Sequence, residues 1–596
     1  MAYKHLTLIL FILFINKPIT NDAQTRGKNE QYLFNNIYSS WNALKLAKIK
    51  VSVDKKVLWN SQYSSKITVS GKYIDATKKV LFIFSKYIPV ENDSKSKCIS
   101  FHCKSDFACN IYIKTYCLNK DEEIVDRDSA VVASTKAWQK ASVNLPTHDK
   151  SGEVYVEISC ESDSNRLSEV DCHLWLDKLT VITTKEIEAS KSIQSPSGNC
   201  IENSVPLTFE NDSCIDKITP LHDHKIIALA ETVHGSKTIT RSACQIIRRL
   251  VEKENCKLIM LELPFDWSLT FNSYIHGDNN IPVDSLINRL PMLLSNSDIT
   301  SLMKWLRNYN HTAEKKVSIL GFDFSWTNFE ATGRIADFLG NYHPPISCAG
   351  NVQDSLILNW NNSKNKYKYI DKNQCFKKNM TEADYNNLKF SLQTDIVREQ
   401  LCMLQGYEKY SEIQFRLKRD SLMYFFVKYA TDHYLANEEK AVLYGHFTHL
   451  NKYNAKHHTF LLKPLGNYLA NQWKDNYYVL ALTVGEGEIT SSNNNDVKPH
   501  YRLDAPSINS IEDLCGHAQS DYLFSDLKGM DDFLPIRQIH NTIYSGKQFI
   551  NINVRRRIDG LIYIRKSESF DPPAEILKLN DLNYYIKKTL KVLSRR

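Results

Sequence analysis

The sequence predicts an α/β domain with a mostly parallel sheet and a long helical segment, preceded by an all-β, jelly-roll-like sandwich domain. Three observations lead there. Residues 30–185 carry short runs rich in Val, Ile, Tyr and Phe, separated by polar turns. Residues 186–204 are rich in Ser, Lys and Glu, with Pro196 and Gly198, and read as a linker. From 205 to 596, strand-like apolar runs alternate with segments of helical period, the pattern of a parallel sheet.

At about 100–200 residues per domain, a chain of 596 residues holds at least two domains. Hydrophobic residues make up 42%, enough for sizeable cores. The net charge of +8 is spread along the chain, with no basic run or basic-aromatic stripe, so nucleic acid is excluded as an expected partner.

Residues 1–23 read as a signal peptide. Lys4 and His5 precede the apolar run Leu6–Ile15, then Asn16, Lys17 and Pro18. The run falls short of the about 20 apolar residues of a membrane span and fits a secretory h-region, with cleavage expected near Ala23. The expectation is a secreted or periplasmic protein with no membrane span. Fourteen cysteines suit an oxidising compartment. Among Cys98, Cys103, Cys109, Cys117, Cys160 and Cys172, disulfides and buried free thiols both stay open.

In the first domain, residues 79–90, 109–118, 154–159 and 172–182 are the strand-like runs. The segments Ser134–Lys140 and His173–Leu179 resemble parts of galactose- and carbohydrate-binding modules. That resemblance implies a glycan partner; a sandwich that binds nothing is the alternative.

In the second domain the strand-like runs are 225–229, 257–261, 317–320, 441–444, 477–482 and 560–564. Residues 246–250 and 302–306 have helical spacing, and Thr381 with Asp384 marks a helix start before a helical region to about His433. Ionisable residues follow four of the strands: Glu231 and His234, then Glu262, then Asp323, then His446 and His449. Parallel strands would bring these to one sheet edge, where α/β proteins bind ligands. Two glutamates and three histidines suit general acid–base chemistry near neutral pH and serve equally as metal ligands. Asp323 is read as structural. No Gly-x-Ser-x-Gly elbow, His-Glu-x-x-His motif or P-loop competes with them.

Residues 205–570 resemble the erythromycin esterase family. The carriers are Ala230–Gly235 (Ala-Glu-Thr-Val-His-Gly), Glu262 before Leu263-Pro264, Trp305–Asn310, Arg419-Asp420 with Met423, Tyr444–His449, Pro464–Gly466 and Gly485–Gly487. Ala230 and Phe447 depart from the family's Gly and Asn, and neither Arg241 nor Arg248 stands at the spacing of the family's arginine. The resemblance implies hydrolysis of a carboxylic lactone ester, macrolide-esterase-like, with no metal or other cofactor. In that reading His234 is the base that activates water and Glu231 orients it. Glu262 holds the water or a substrate hydroxyl, His446 donates to the oxyanion, and His449 supports it. The expected pH profile rises through one ionisation near the reference histidine value of about 6.5. Two alternatives remain: a metal-dependent hydrolase built on the same Glu/His cluster, and a catalytically degenerate glycan-binding protein.

Overall fold

A computed structural model describes residues 30–32, 42–45, 49–59, 64–69, 80–89, 97–119, 124–145, 151–162, 171–183, 204–209, 212–279, 281–287, 294–324, 328–342, 363–403, 408–453, 463–493, 496–507, 510–527, 533–539 and 549–571. The expected signal peptide and residues 186–203 of the expected linker lie outside these residues.

The first domain consists of β1 (Glu30–Tyr32), β2 (Asn42–Lys45), β3 (Ile49–Asp54), β4 (Ser64–Val69), β5 (Val80–Pro89), β6 (Lys97–Ser105), β7 (Cys109–Asn119), β8 (Ile124–Ser134), β9 (Gln139–Leu145), β10 (Ser151–Ser162) and β11 (Cys172–Thr183). They form two antiparallel sheets. One has the order β3-β4-β11-β6-β9, with β1 also on β11; the other has the order β2-β5-β10-β7-β8. From β4 onward the chain changes sheet at nearly every connection, as expected of a jelly roll. Alternation builds the core: in β9, Ala141, Val143 and Leu145 point inward while Lys140, Ser142 and Asn144 face solvent. They pack with Ile67, Phe101, Ile113, Val156, Ile158 and Leu174 from both sheets. Cys98, Cys103, Cys109, Cys117, Cys160 and Cys172 are joined in no disulfide, and most of them are buried, which resolves the open question about this group.

The second domain is built on a sheet of order β12-β19-β22-β17-β13-β16-β14-β15, with β18 paired to β17. Its strands are β12 (Ser204–Leu207), β13 (Ile226–Glu231), β14 (Cys256–Pro264), β15 (Ser318–Asp323), β16 (Lys440–His446), β17 (Tyr477–Asn493), β18 (Asp496–Arg502), β19 (Tyr522–Asp526) and β22 (Gly560–Ser567). A separate ribbon pairs β20 (Phe533–Arg537) with β21 (Phe549–Asn553). The six runs read from sequence are the six mutually parallel strands β13, β14, β15, β16, β17 and β22. They are continuous apolar runs because both faces are covered. In β13, Ile226, Ala228 and Ala230 enter one core and Ile227 and Leu229 the other.

The helices that matter for the site are α1 (Lys237–Lys253), α2 (Phe265–His276), α3 (Ser297–Thr312), α4 (Glu382–Met403), α5 (Glu408–Tyr434), α6 (Phe447–Leu450), α7 (Leu465–Trp473) and α8 (Ile511–Gly516). The long helical region is thus two helices, α4 and α5. Thr381 Oγ1 accepts from Asp384 N at 3.1 Å. The reciprocal bond of a capping box is absent, because Thr381 N donates to Tyr342 Oη rather than to the Asp384 carboxylate.

Candidate active site

The parallel register puts Glu231 beside His446, and Pro264 beside Asp323. The carboxyl ends of β13, β14, β15 and β16 therefore share one edge. Glu231 and Tyr444 lie on the same face of neighbouring strands, since Leu229, two residues before Glu231, and Tyr444 belong to the same core. Gly445 faces the other way, and there Glu262 fills the space: a Cβ on Gly445 would stand 2.9 Å from the Glu262 Cβ.

The turn between β13 and α1 carries the first half of the site. His234 Nδ1 donates to Glu231 Oε1 at 2.6 Å. Tyr444 Oη donates to the other oxygen, Oε2, at 2.6 Å. Thr240 Oγ1 lies 3.2 Å from the same hydroxyl. With its Nδ1 committed to a carboxylate, a neutral His234 carries its lone pair on Nε2. Gly235 closes the turn with φ +83°, and a Cβ there would fall 1.9 Å from Thr490 O. The Ser236 side chain then caps α1 by accepting from Ile239 N.

The second half centres on Glu262. Its Oε2 accepts from His446 N at 2.6 Å. Its Oε1 lies 3.5 Å from both Arg419 Nη2 and His449 Nε2. His449 Nδ1 donates to Asp420 Oδ1 at 2.8 Å, and that oxygen also accepts from Leu465 N. Arg419 forks onto Asp323, with Nε donating to Oδ1 at 3.0 Å and Nη2 to Oδ2. Its Nη1 stands 3.1 Å from His449 Nε2. Asp323 thus orients Arg419.

Both imidazoles bind their proton more tightly than usual. Burial pulls His234 down, but the hydrogen bond and charge of Glu231, joined by the charge of Glu262, outweigh it and leave the pKa raised. Burial also pulls His449 down; Asp420 and Glu262 outweigh it, against an opposing push from Arg419, and raise that pKa too. Burial lowers the Arg419 pKa, but Asp323 and Glu262 overcome this and hold the guanidinium charged.

His446 requires a correction. Its ring is fully buried. Nε2 lies 3.2 Å from Ile539 O, and Nδ1 accepts from Thr448 N at 3.2 Å and lies 2.8 Å from Thr448 Oγ1. A ring whose two nitrogens are engaged by the chain is not placed to donate to an oxyanion. Instead it packs against His234, with ring centroids 4.3 Å apart. The cation that the structure places beside Glu262 and His449 is Arg419. Arg241 pairs with Asp298 and Glu568, and Arg248 lies over the Trp305 ring. Arg419, Asp420 and Tyr444 were visible as motif residues, but nothing in the sequence marked them as part of the site. Among the described residues no group of three or more His, Cys, Asp or Glu is arranged to hold a metal ion.

A family model described as "Erythromycin esterase" matches residues 251–567, just over half of the chain. The match includes Glu262, Arg419, His446 and His449, whereas Glu231 and His234 precede it. The chain is similar to "Erythromycin esterase type II" of Escherichia coli, 22% identical over 404 residues, covering 60% of this chain and 94% of that protein. It is also similar to "Putative hydrolase YbfO" of Bacillus subtilis (strain 168), 23% identical over 387 residues, covering 58% of this chain and 84% of that protein. Among solved structures, an open-conformation mutant of the erythromycin esterase EreC covers 61% of this chain and 95% of its own, with 16% identity and a TM-score of 0.41. A xylan-binding domain of Paenibacillus barcinonensis Xyn10C covers 27% of this chain and 100% of its own, with 14% identity and a TM-score of 0.20. By the extent of the family match, the chain belongs to the erythromycin esterase family.

Proposed function

We propose that this chain hydrolyses a carboxylic ester, with lactones as the substrate class, using water activated by His234. The observation that carries the reading is the chain of contacts Tyr444–Glu231–His234, facing Glu262, Arg419 and His449 across one sheet edge. His234 Nε2 takes a proton from water, and the hydroxide adds to the ester carbonyl. The negative oxygen that forms is met by the guanidinium of Arg419, held in place by Asp323 and His449, which takes the role first expected of His446; one well-placed donor of this kind is worth roughly 2.7–4 kcal/mol. The C–O bond to the alcohol then breaks, and the His234 proton goes to the leaving oxygen. Acid and alcohol together equal substrate plus one water. The test is mass spectrometry of macrolides and simpler lactones incubated with the purified chain. A gain of one water in at least one class supports the reading; no gain across the panel counts against it.

The sandwich carries a second reading, glycan binding. Trp59 is 49% exposed, its ring is stacked on His102 at 4.6 Å, and Trp138 stands 6.4 Å away. Asp177 Oδ2 fixes the Trp59 backbone amide at 2.7 Å. A rigid, half-exposed indole beside polar side chains suits the C–H face of a sugar ring. Affinity electrophoresis on soluble polysaccharides tests it, with Trp59→Ala expected to abolish retardation. Export is proposed as well. The short apolar run behind Lys4 supports it, as does the disulfide bond formed by Cys375. N-terminal sequencing of protein from the native host checks it, with a start shortly after Thr20 expected and an intact Met1 contradicting it.

A further inference from the structure

Residues 533–539 lie over the turn that carries His234, yet the chemistry above makes no use of them. Past the end of β20, Ile539 pairs with that turn on both sides. Ile539 N donates to Thr232 O at 2.8 Å, and Ile539 O accepts from His234 N at 3.0 Å. The same carbonyl lies 3.2 Å from His446 Nε2. A carbonyl only accepts, so the proton of a neutral His446 sits on Nε2. Its Nδ1 takes the Thr448 backbone amide. One carbonyl therefore sets the backbone of His234 and the tautomer of the ring packed against it.

Arg537 holds that carbonyl in place. Its side chain is fully buried. Nε donates to Val484 O at 3.1 Å, and Nη2 to Gly485 O at 2.7 Å and Asp504 O at 2.8 Å. Its backbone N donates to Glu512 Oε1 at 2.9 Å. Glu512, on α8, is also fully buried, and the same oxygen accepts from Thr483 Oγ1 at 2.5 Å. Thr483 Oγ1 in turn accepts from Thr232 Oγ1 at 2.9 Å. The path closes on itself: Thr232, Thr483, Glu512, Arg537, Ile539, Thr232. A buried charge is costly, and an apolar residue of similar size is often as stable or more so. A guanidinium reaching three carbonyls of other segments fixes geometry in a way an apolar side chain does not.

We infer that Arg537 is a positioning residue: through the Ile539 carbonyl it holds His446 in its Nε2–H form and sets the backbone position of His234. The effect on turnover rests on the hydrolase reading, but the tautomer does not.

The experiment is ring ¹⁵N NMR of the full chain labelled at histidine, with the His446 signals assigned by His446→Gln. The wild type is expected to show a neutral Nε2–H ring; an Nδ1–H ring overturns the inference at once. Arg537→Lys keeps the charge and loses the planar fork. It is expected to mix the His446 tautomers and to lower kcat by about ten- to a hundredfold, the scale of small misplacements at a reacting centre, with KM little changed. If that variant does not fold, the pair Glu512→Gln with Arg537→Gln removes both charges together and is expected to do the same. A folded variant with wild-type ring signals, or with mixed tautomers and wild-type kcat, overturns the inference. A wild type that turns over no ester sinks the hydrolase reading and leaves the tautomer result to decide this one.

Discussion

Tyr444 and His234 hold opposite oxygens of one carboxylate, each at 2.6 Å: the phenol on Glu231 Oε2 and the imidazole on Oε1. The carboxylate is thereby fixed in plane from behind, and the imidazole is aimed by a group that cannot swing. Tyr444→Phe removes one hydrogen bond to a charged group, worth about 1.5–3 kcal/mol. The expected result is a matching loss of stability by denaturant titration and a fall in kcat of about tenfold, with KM nearly unchanged. Unchanged kcat would mean that Glu231 needs no support.

The raised pKa of His234 sets the acid limb of the pH profile. The base must be deprotonated, so kcat/KM rises with pH through an ionisation above the reference value of about 6.5 rather than at it. This corrects the expectation from sequence, which placed the ionisation near the reference value. Glu231→Gln removes the charge that raises it and leaves only a neutral acceptor, so the limb is expected to move to lower pH while the plateau falls. The same shift bears on stability: a histidine raised in the folded state stabilises fully below its unfolded pKa of about 6.5. That contribution is lost as pH rises through the folded value. His449 contributes with the same sign.

Arg419 joins Asp323, Glu262 and His449. A lysine cannot reproduce the fork. Arg419→Lys is expected to lower kcat by about a hundredfold, on the scale of a lost oxyanion donor. Arg419→Ala is expected to destabilise by about 3–5 kcal/mol, because Asp323 is left buried and unpaired. Steady-state kinetics and thermal melts read the two effects separately.

His234 and His449 both give their Nδ1 to carboxylates, and both nitrogens of His446 are engaged within the chain. A carboxylate on Nδ1 suits a histidine base and a metal-bound imidazole alike, so the two readings are separated by experiment. Exhaustive dialysis against a chelator is expected to leave activity within about twofold, since a resident catalytic ion would be lost with its activity. Loss on chelation, restored by one divalent ion at near-unit stoichiometry, would move the reading to a metallohydrolase.

The parallel strands were legible because each is buried on both faces and so reads as an unbroken apolar run. Strands β12 and β18 were not: Ser204–Leu207 has a single buried residue, and Asp496–Arg502 sets Val497 and Tyr501 among polar and charged residues. At the site, Glu231, His234 and Glu262 were legible as a cluster because they stand at or just past the ends of apolar runs. His446 was found for the same reason and misread, since spacing does not reveal that its ring turns inward onto Ile539, far along the chain. Arg419 and Asp420 sit well inside α5, where a charged pair looks like solvent-facing surface until Asp323 and His449 are brought against it. The sandwich cysteines were ambiguous because strand pairing, not spacing, decides which thiols meet.

The central claim is that His234 is the base. Its most direct test is the kcat of His234→Asn and His234→Ala on whichever lactone the wild type opens, with the fold checked by circular dichroism. The account predicts a fall of at least about a hundredfold in both, the usual scale for losing a general base. Near-normal turnover in either folded variant would contradict it.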